Sequence, residues 1–251
     1  MKLARLPSGE PEIFHTLQGE GRHAGTPSVF IRASLCNLSC VWCDTDYTWN
    51  WEGTDYRHER DADPRYRKFR REDQIIELDP SDVADRASAF ACPHYVLTGG
   101  EPLIQEREWV EVMLRLREHD TKAHFELETN GTLIPNERFL CLVDQINVSP
   151  KLSNSGVPVE KRRRPDVLFA LAESGKADFK FVANTEADLE EIRSLVAEIT
   201  LPPERIILMP RASSLAELEK RQEMVAEWAR AEGWRFGDRL HLRLYGATRG
   251  T

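Results

Sequence analysis

An α/β architecture is expected here, with a largely parallel, curved sheet closed only part-way into a barrel. Three features point to it. β-prone runs alternate with amphipathic helical stretches, the pattern of strands joined by crossover helices. Two of those runs end in turn signals, Gly99-Gly100 and Asn130-Gly131. Seven strand candidates are too few for a closed eight-stranded barrel.

The first candidate strand, residues 28–32, runs directly into a cysteine cluster, and the second, 94–98, stops at Gly99-Gly100. Residues 124–128 alternate apolar and polar. Residues 145–148, 178–182 and 205–209 are further candidates, and 239–245, with its clean alternation, reads as the last strand. Between them, 108–118 places Trp109, Val112, Met113 and Leu116 on one helical face. Residues 186–199 do the same with Leu189, Ile192, Leu195 and Val196 behind Thr185 as N-cap. Residues 214–232 carry Leu215, Leu218, Met224, Val225 and Trp228 and stop at Gly233. No repeat interrupts this order, so residues 1–251 read as one domain. A charged insertion at about 49–79 breaks the pattern and holds Arg57, Arg60, Arg65, Arg67, Lys68, Arg70 and Arg71.

The 251 residues are 41% hydrophobic and 30% charged, with a net charge of −8, which disfavours a wholly basic nucleic-acid-binding surface. No apolar run reaches membrane-spanning length, and the start lacks the apolar stretch of a secretory signal, so a cytoplasmic location and no membrane partner are expected. Five cysteines do not make a disulfide framework. Three of them form C-x3-C-x2-C at Cys36, Cys40 and Cys43, whereas Cys92 and Cys141 stand alone. Three thiolates in one loop can grip three corners of an iron–sulfur cubane, leaving one iron for a small molecule. A zinc-stabilised binding module is the reading from another class, though it needs a fourth ligand.

Cys36-Asn37-Leu38-Ser39-Cys40-Val41-Trp42-Cys43, followed after a strand by Thr98-Gly99-Gly100-Glu101-Pro102, resembles the radical S-adenosylmethionine (SAM) superfamily. The resemblance implies that family's incomplete (β/α) barrel and a [4Fe-4S] cluster whose free iron chelates SAM. It also implies SAM contacts from Trp42, Asp44, Gly99, Gly100, Glu101, Glu128, Ser149 and Lys151. Another member of the superfamily, such as a glycyl-radical activase, would share these parts.

Further residues narrow the match. Glu12 to Gly21, the Cys43-Asp44-Thr45 sequence, Val148-Ser149-Pro150-Lys151 and the ending 239–250 are similar to the 7-carboxy-7-deazaguanine synthase family. The insertion has no counterpart in that match. The resemblance implies conversion of 6-carboxy-5,6,7,8-tetrahydropterin to 7-carboxy-7-deazaguanine with loss of ammonia. It implies a Mg2+ at Thr45 and pterin contacts from Leu17, Gln18, Gly19, Glu20, Arg32, Thr98, His241 and the C-terminal carboxylate of Thr251. By the residues alone, Gln18-Gly19-Glu20-Gly21 is also a simple turn, Thr45 also suits a Ser/Thr turn, and Arg32 also suits a salt bridge. The family further implies a homodimer. A low-potential electron donor such as flavodoxin is a partner that the basic clusters, including Lys161-Arg162-Arg163-Arg164, suit by charge.

Overall fold

The computed structural model describes residues 1–251. Its strands are β1 (Lys2–Ala4), β2 (Ile13–Leu17), β3 (Pro27–Ala33), β4 (Ile75–Glu77), β5 (His94–Gly99), β6 (His124–Thr129), β7 (Gln145–Val148), β8 (Ala177–Ala183), β9 (Ile206–Pro210) and β10 (Arg235–Phe236). They form one sheet in the order β10-β9-β8-β7-β6-β5-β3-β1-β4, with β2 also on β3. Every pairing from β3 through β10 is parallel, and β1, β2 and β4 add an antiparallel margin. The sheet stays open, as a partial barrel requires.

Strands buried on both faces usually read as continuous apolar runs. β9 does, but β6, β7 and β8 do not, because only one of their faces is apolar and meets the helices. Tyr95 and Leu97, Phe125 and Leu127, Ile146 and Val148, and Phe179 and Phe181 join Trp109, Met113, Leu116 and Ile192 in a single core of 40 buried residues. Their strand neighbours Glu126, Asn147, Asp178 and Lys180 are also buried but belong to the other, polar face. That alternation makes the sheet a container for polar chemistry backed by an apolar layer.

The long helices start and stop where local chemistry dictates. Glu186–Ile199 has a capping box between Thr185 and Asp188. Leu215–Glu232 is capped by Ser214, and Gly233, at φ 71°, ends it in the left-handed region that favours glycine. Glu106–His119 extends the expected helix by two residues at the front and one at the back.

Residues 239–245 are not a strand. β10 already occupies the free edge of β9, and Leu240–Tyr245 forms a short helix. Of its apolar residues only Leu242 is buried, packed with Ala212 and Leu218, while Leu244 and Tyr245 are exposed. One anchored leucine suits a helical turn and does not need a buried sheet face. The margin strands β1, β2 and β4 and the helices Pro80–Ser88 and Pro165–Glu173 also lie outside the expected elements.

Candidate active site

A cavity of about 370 Å³ opens at the carboxyl ends of the parallel strands, where loops rather than ladders supply the walls. The loop after β3 brings Cys36, Cys40, Trp42, Cys43, Asp44 and Thr45 to it. This loop is tied from several sides. Val41 N donates to Ser155 O at 2.9 Å, Leu35 N to Thr48 O at 3.1 Å, and Glu59 N to Val41 O at 2.7 Å. His58 Nε2 lies 2.9 Å from Cys43 O. The insertion therefore braces the cysteine loop, through His58, Glu59 and the aromatic group of Trp49, Tyr56, Tyr66 and Phe69. Leu35 sits at φ 78°, a conformation costing about 1–3 kcal/mol in a non-glycine residue and characteristic of functional loops.

Gly99 and Gly100 close the opposite side. A Cβ on Gly99 would overlap Ala33 O, and one on Gly100 would overlap Leu35 O, so the end of β5 and the cysteine loop touch backbone to backbone. Burial pushes the Cys36 and Cys43 thiols up and the Cys40 thiol up to about 12, so any metal bound there must displace their protons. Cys92 is buried with its thiol 3.3 Å from Pro27 O, and Cys141 is exposed; neither lines the cavity. Three thiols on one wall, Cys40 buried and Cys36 and Cys43 half-buried, with no fourth beside them, fit a cubane held at three corners. They fit a closed zinc site less well.

Buried charge organises the remaining walls. Arg32 Nε donates to Glu12 Oε1 at 2.7 Å, and its terminal nitrogens make no hydrogen bond within the chain while the side chain lines the cavity. Burial opposes its charge, but the Glu12 carboxylate keeps the guanidinium protonated. Lys180, from the middle of β8, reaches Glu128 Oε2 at 2.6 Å and Glu20 Oε2 at 3.1 Å. Arg239 takes the other oxygen of Glu20 at 3.0 Å and Asp44 at 2.7 Å. Burial works against each of these charges, yet Lys180 and Arg239 keep Glu20 ionised and the carboxylates keep Lys180 an ammonium. Gln18, nearly fully buried, donates to Glu126 Oε1 at 2.7 Å. Gly19 meets the His241 ring so closely that any Cβ would overlap Nδ1. The hydroxyl of Thr45 makes no capping bond to the short helix Asp46–Thr48 and lies 3.5 Å from Cys43 Sγ.

All but one of the residues singled out in the sequence line this cavity, including Leu17, Thr98, Ser149, Lys151, His241 and Thr251. Glu101 does not. It is fully buried behind the wall, accepting from Asn130 N at 2.8 Å, Leu103 N at 3.1 Å and Thr129 Oγ1 at 2.9 Å. With its oxygens taken by backbone and a hydroxyl, this carboxylate ties the loop after β5 to the end of β6. Sequence reasoning in turn missed Glu12, Lys180, Arg239 and Arg249. The signal for Lys180 was present, since a lysine between Phe179 and Phe181 in a buried strand has only the inner face to occupy.

An open parallel barrel, with three cysteines and a double glycine facing one cavity at its carboxyl rim, defines a radical SAM enzyme. The radical SAM superfamily signature matches residues 31–166. The 7-carboxy-7-deazaguanine synthase of Halobacterium salinarum is 36% identical to the chain, across 93% of it and 89% of the relative. That of Pyrobaculum aerophilum is 34% identical, across 95% of each. The crystal structure of QueE from Escherichia coli superposes with a TM-score of 0.63 at 24% identity, covering 94% of this chain and 93% of that one, a likeness of fold. The chain belongs to the 7-carboxy-7-deazaguanine synthase family. A [4Fe-4S] cluster and SAM are its cofactors, and both the glycyl-radical activase and the zinc-stabilised module give way to this assignment.

Proposed function

We propose that this enzyme contracts the ring of 6-carboxy-5,6,7,8-tetrahydropterin to 7-carboxy-7-deazaguanine, releasing ammonia, and that it does so in the cavity described above. One observation carries the reading. The cysteine loop and the Gln18–Glu20 segment, which follow and precede β3 in the chain, line one and the same cavity. When bound, the cluster supplies the electron that cleaves SAM and so gives a radical able to take a hydrogen atom from the substrate; that chemistry belongs to the cofactor.

The chain's own residues hold and orient. Cys36, Cys40 and Cys43 bind the cluster. Trp42, Asp44, Gly99, Gly100, Glu128, Ser149 and Lys151 line the SAM side. Trp42 is already fixed there by its Nε1 bond to Asn154 O at 2.9 Å, and Lys151 donates to Ser149 Oγ at 2.9 Å. Glu101 acts one layer back as a positioning residue. On the substrate side, Arg32 offers its free guanidinium edge to the pterin carboxylate. Leu17, Gln18, Gly19, Glu20, Thr98, His241 and Thr251 frame the ring. Thr45, whose hydroxyl has only the soft Cys43 sulfur as a partner, suits Mg2+, a hard ion that keeps several waters and needs few protein oxygens.

We read the chain as one domain working as a cytoplasmic homodimer with a flavodoxin-like donor. No helix is long and apolar enough to cross a membrane. Arg60, Arg65, Arg70, Arg162, Arg163 and Arg164 pair with Asp46, Asp63, Glu72, Glu191, Glu198 and Asp166. The basic clusters thus offer less free charge than the sequence implied, and donor-supported turnover is expected to depend weakly on salt. The central test uses anaerobically reconstituted protein with SAM, reductant and the carboxypterin. Formation of 7-carboxy-7-deazaguanine is expected, and unchanged substrate in the presence of an intact cluster overturns the proposal.

A further inference from the structure

On the polar face of the sheet, at the amino-terminal end of the strands and away from the cysteines, three histidines converge. His94 opens β5 and His124 opens β6, where parallel register sets them side by side. His23, from the turn before β3, comes down on both. The three rings meet edge to face, with centroids 4.6 to 5.2 Å apart and planes 78° to 90° to one another. One ligand nitrogen from each lies within 4.8 Å of the others. His124 Nε2 is buried and has no hydrogen-bond partner. An orphaned imidazole nitrogen inside a polar cluster is costly unless something accepts or coordinates it.

Glu126, two residues along β6 and fully buried, completes the group. Its Oε2 lies 2.7 Å from His23 Nδ1 and 3.0 Å from His94 Nε2. The carboxyl–imidazole pairing is the arrangement that orients histidines around a metal and fixes their tautomers.

We propose that His23, His94 and His124, supported by Glu126, form a binding site for a divalent transition cation of the zinc class. Imidazole nitrogens suit such ions, and ligands about 2.0–2.1 Å from a tetrahedral zinc stand about 3.3 Å apart, so small ring rotations close the site. The other oxygen of Glu126 accepts from Gln18 and Asn147, and Gln18 lines the active cavity. A cation there fixes the floor of the cavity from below. This site stands apart from the reaction proposed above, and its test does not measure turnover.

The full-length, cluster-loaded protein is equilibrated with buffered zinc, freed of excess by gel filtration, and its zinc and iron are determined. One retained zinc per chain is expected, absent from the His94→Ala/His124→Ala variant at unchanged iron content. Glu126→Gln should weaken zinc affinity about 10- to 100-fold, the usual effect of losing a ligand's carboxylate partner. X-ray absorption of the wild-type zinc should show nitrogen at about 2.0–2.1 Å with imidazole outer-shell scattering, a result that does not depend on any variant folding. Zinc retained equally by wild type and variant, no zinc retained by either, or sulfur ligands at about 2.3 Å would each overturn the site.

Discussion

At the scale of single residues, the inner face of the barrel is governed by charges that cannot be removed singly. Lys180 is almost wholly enclosed and neutralises parts of both Glu20 and Glu128. Lys180→Met leaves two carboxylates facing each other in a poorly solvated space, and removing one partner of a buried pair costs about 3–5 kcal/mol. Urea unfolding of the two proteins side by side measures that loss, and an equal midpoint would show that Lys180 carries no such load. Most of the site was legible residue by residue because its chemistry is written in types and spacings: three cysteines, a double glycine, an arginine on a strand. Glu101 was legible as a motif but not as a role. A carboxylate beside a ligand and one buried a layer behind it look alike in sequence, and only the partners Asn130, Leu103 and Thr129 tell them apart.

At the scale of elements, strands bounded by turn residues and flanked by helices were readable, whereas residues 239–245 were not. Period-two alternation over a few residues carries little weight when the sheet edge it would join is already taken by β10. The consequence is functional, since a helix there brings His241 over Gly19. The meeting of β5 with the cysteine loop is the sharpest test at this scale. Gly100→Ala must push its new methyl into Leu35 O, which is backbone and cannot turn aside. Overpacking of this kind costs about 1–3 kcal/mol, and here it falls on the loop that positions Cys36. Reduced iron and sulfide per chain after reconstitution is expected, with circular dichroism close to wild type. Gly175→Ala is the control, because no atom lies within 4 Å of its added Cβ, although its φ of 69° adds local strain of its own. Full cluster content in Gly100→Ala would remove the close approach as the reason for the double glycine.

At the scale of the whole molecule, one clasp joins segments far apart in the chain. Glu12, nearly inaccessible, receives Arg32 Nε on one oxygen and Arg249 Nε on the other, both at 2.7 Å, with Tyr47 OH at 3.1 Å. Arg249 also donates to Arg5 O at 2.6 Å and Gln74 Oε1 at 3.1 Å and stacks 3.5 Å from the Tyr47 ring centroid. This anchoring is what holds residues 246–251 against the cavity; the family resemblance implied Thr251 there, but not the Glu12–Arg249 contact that fixes it, which spans 237 positions. The clasp also has a defined response to acid. Burial alone would raise the Glu12 pKa, but Arg32 and Arg249 outweigh it and hold the carboxyl below its ordinary 4.5. The unfolded chain therefore takes up this proton first as the pH falls. The stabilisation is complete above about pH 4.5 and is lost as the pH drops through the lower native value. Glu12→Gln should accordingly be less stable than wild type by a constant margin from about pH 8 to pH 5.5, by roughly 2–3 kcal/mol because two half-buried guanidinium groups lose their buried partner. Below about pH 4.5 the margin should narrow, since wild type then loses the same interaction. Denaturant midpoints of both proteins across that range decide the matter, and a margin that widens in acid would mean that the clasp is not held by an ionised Glu12.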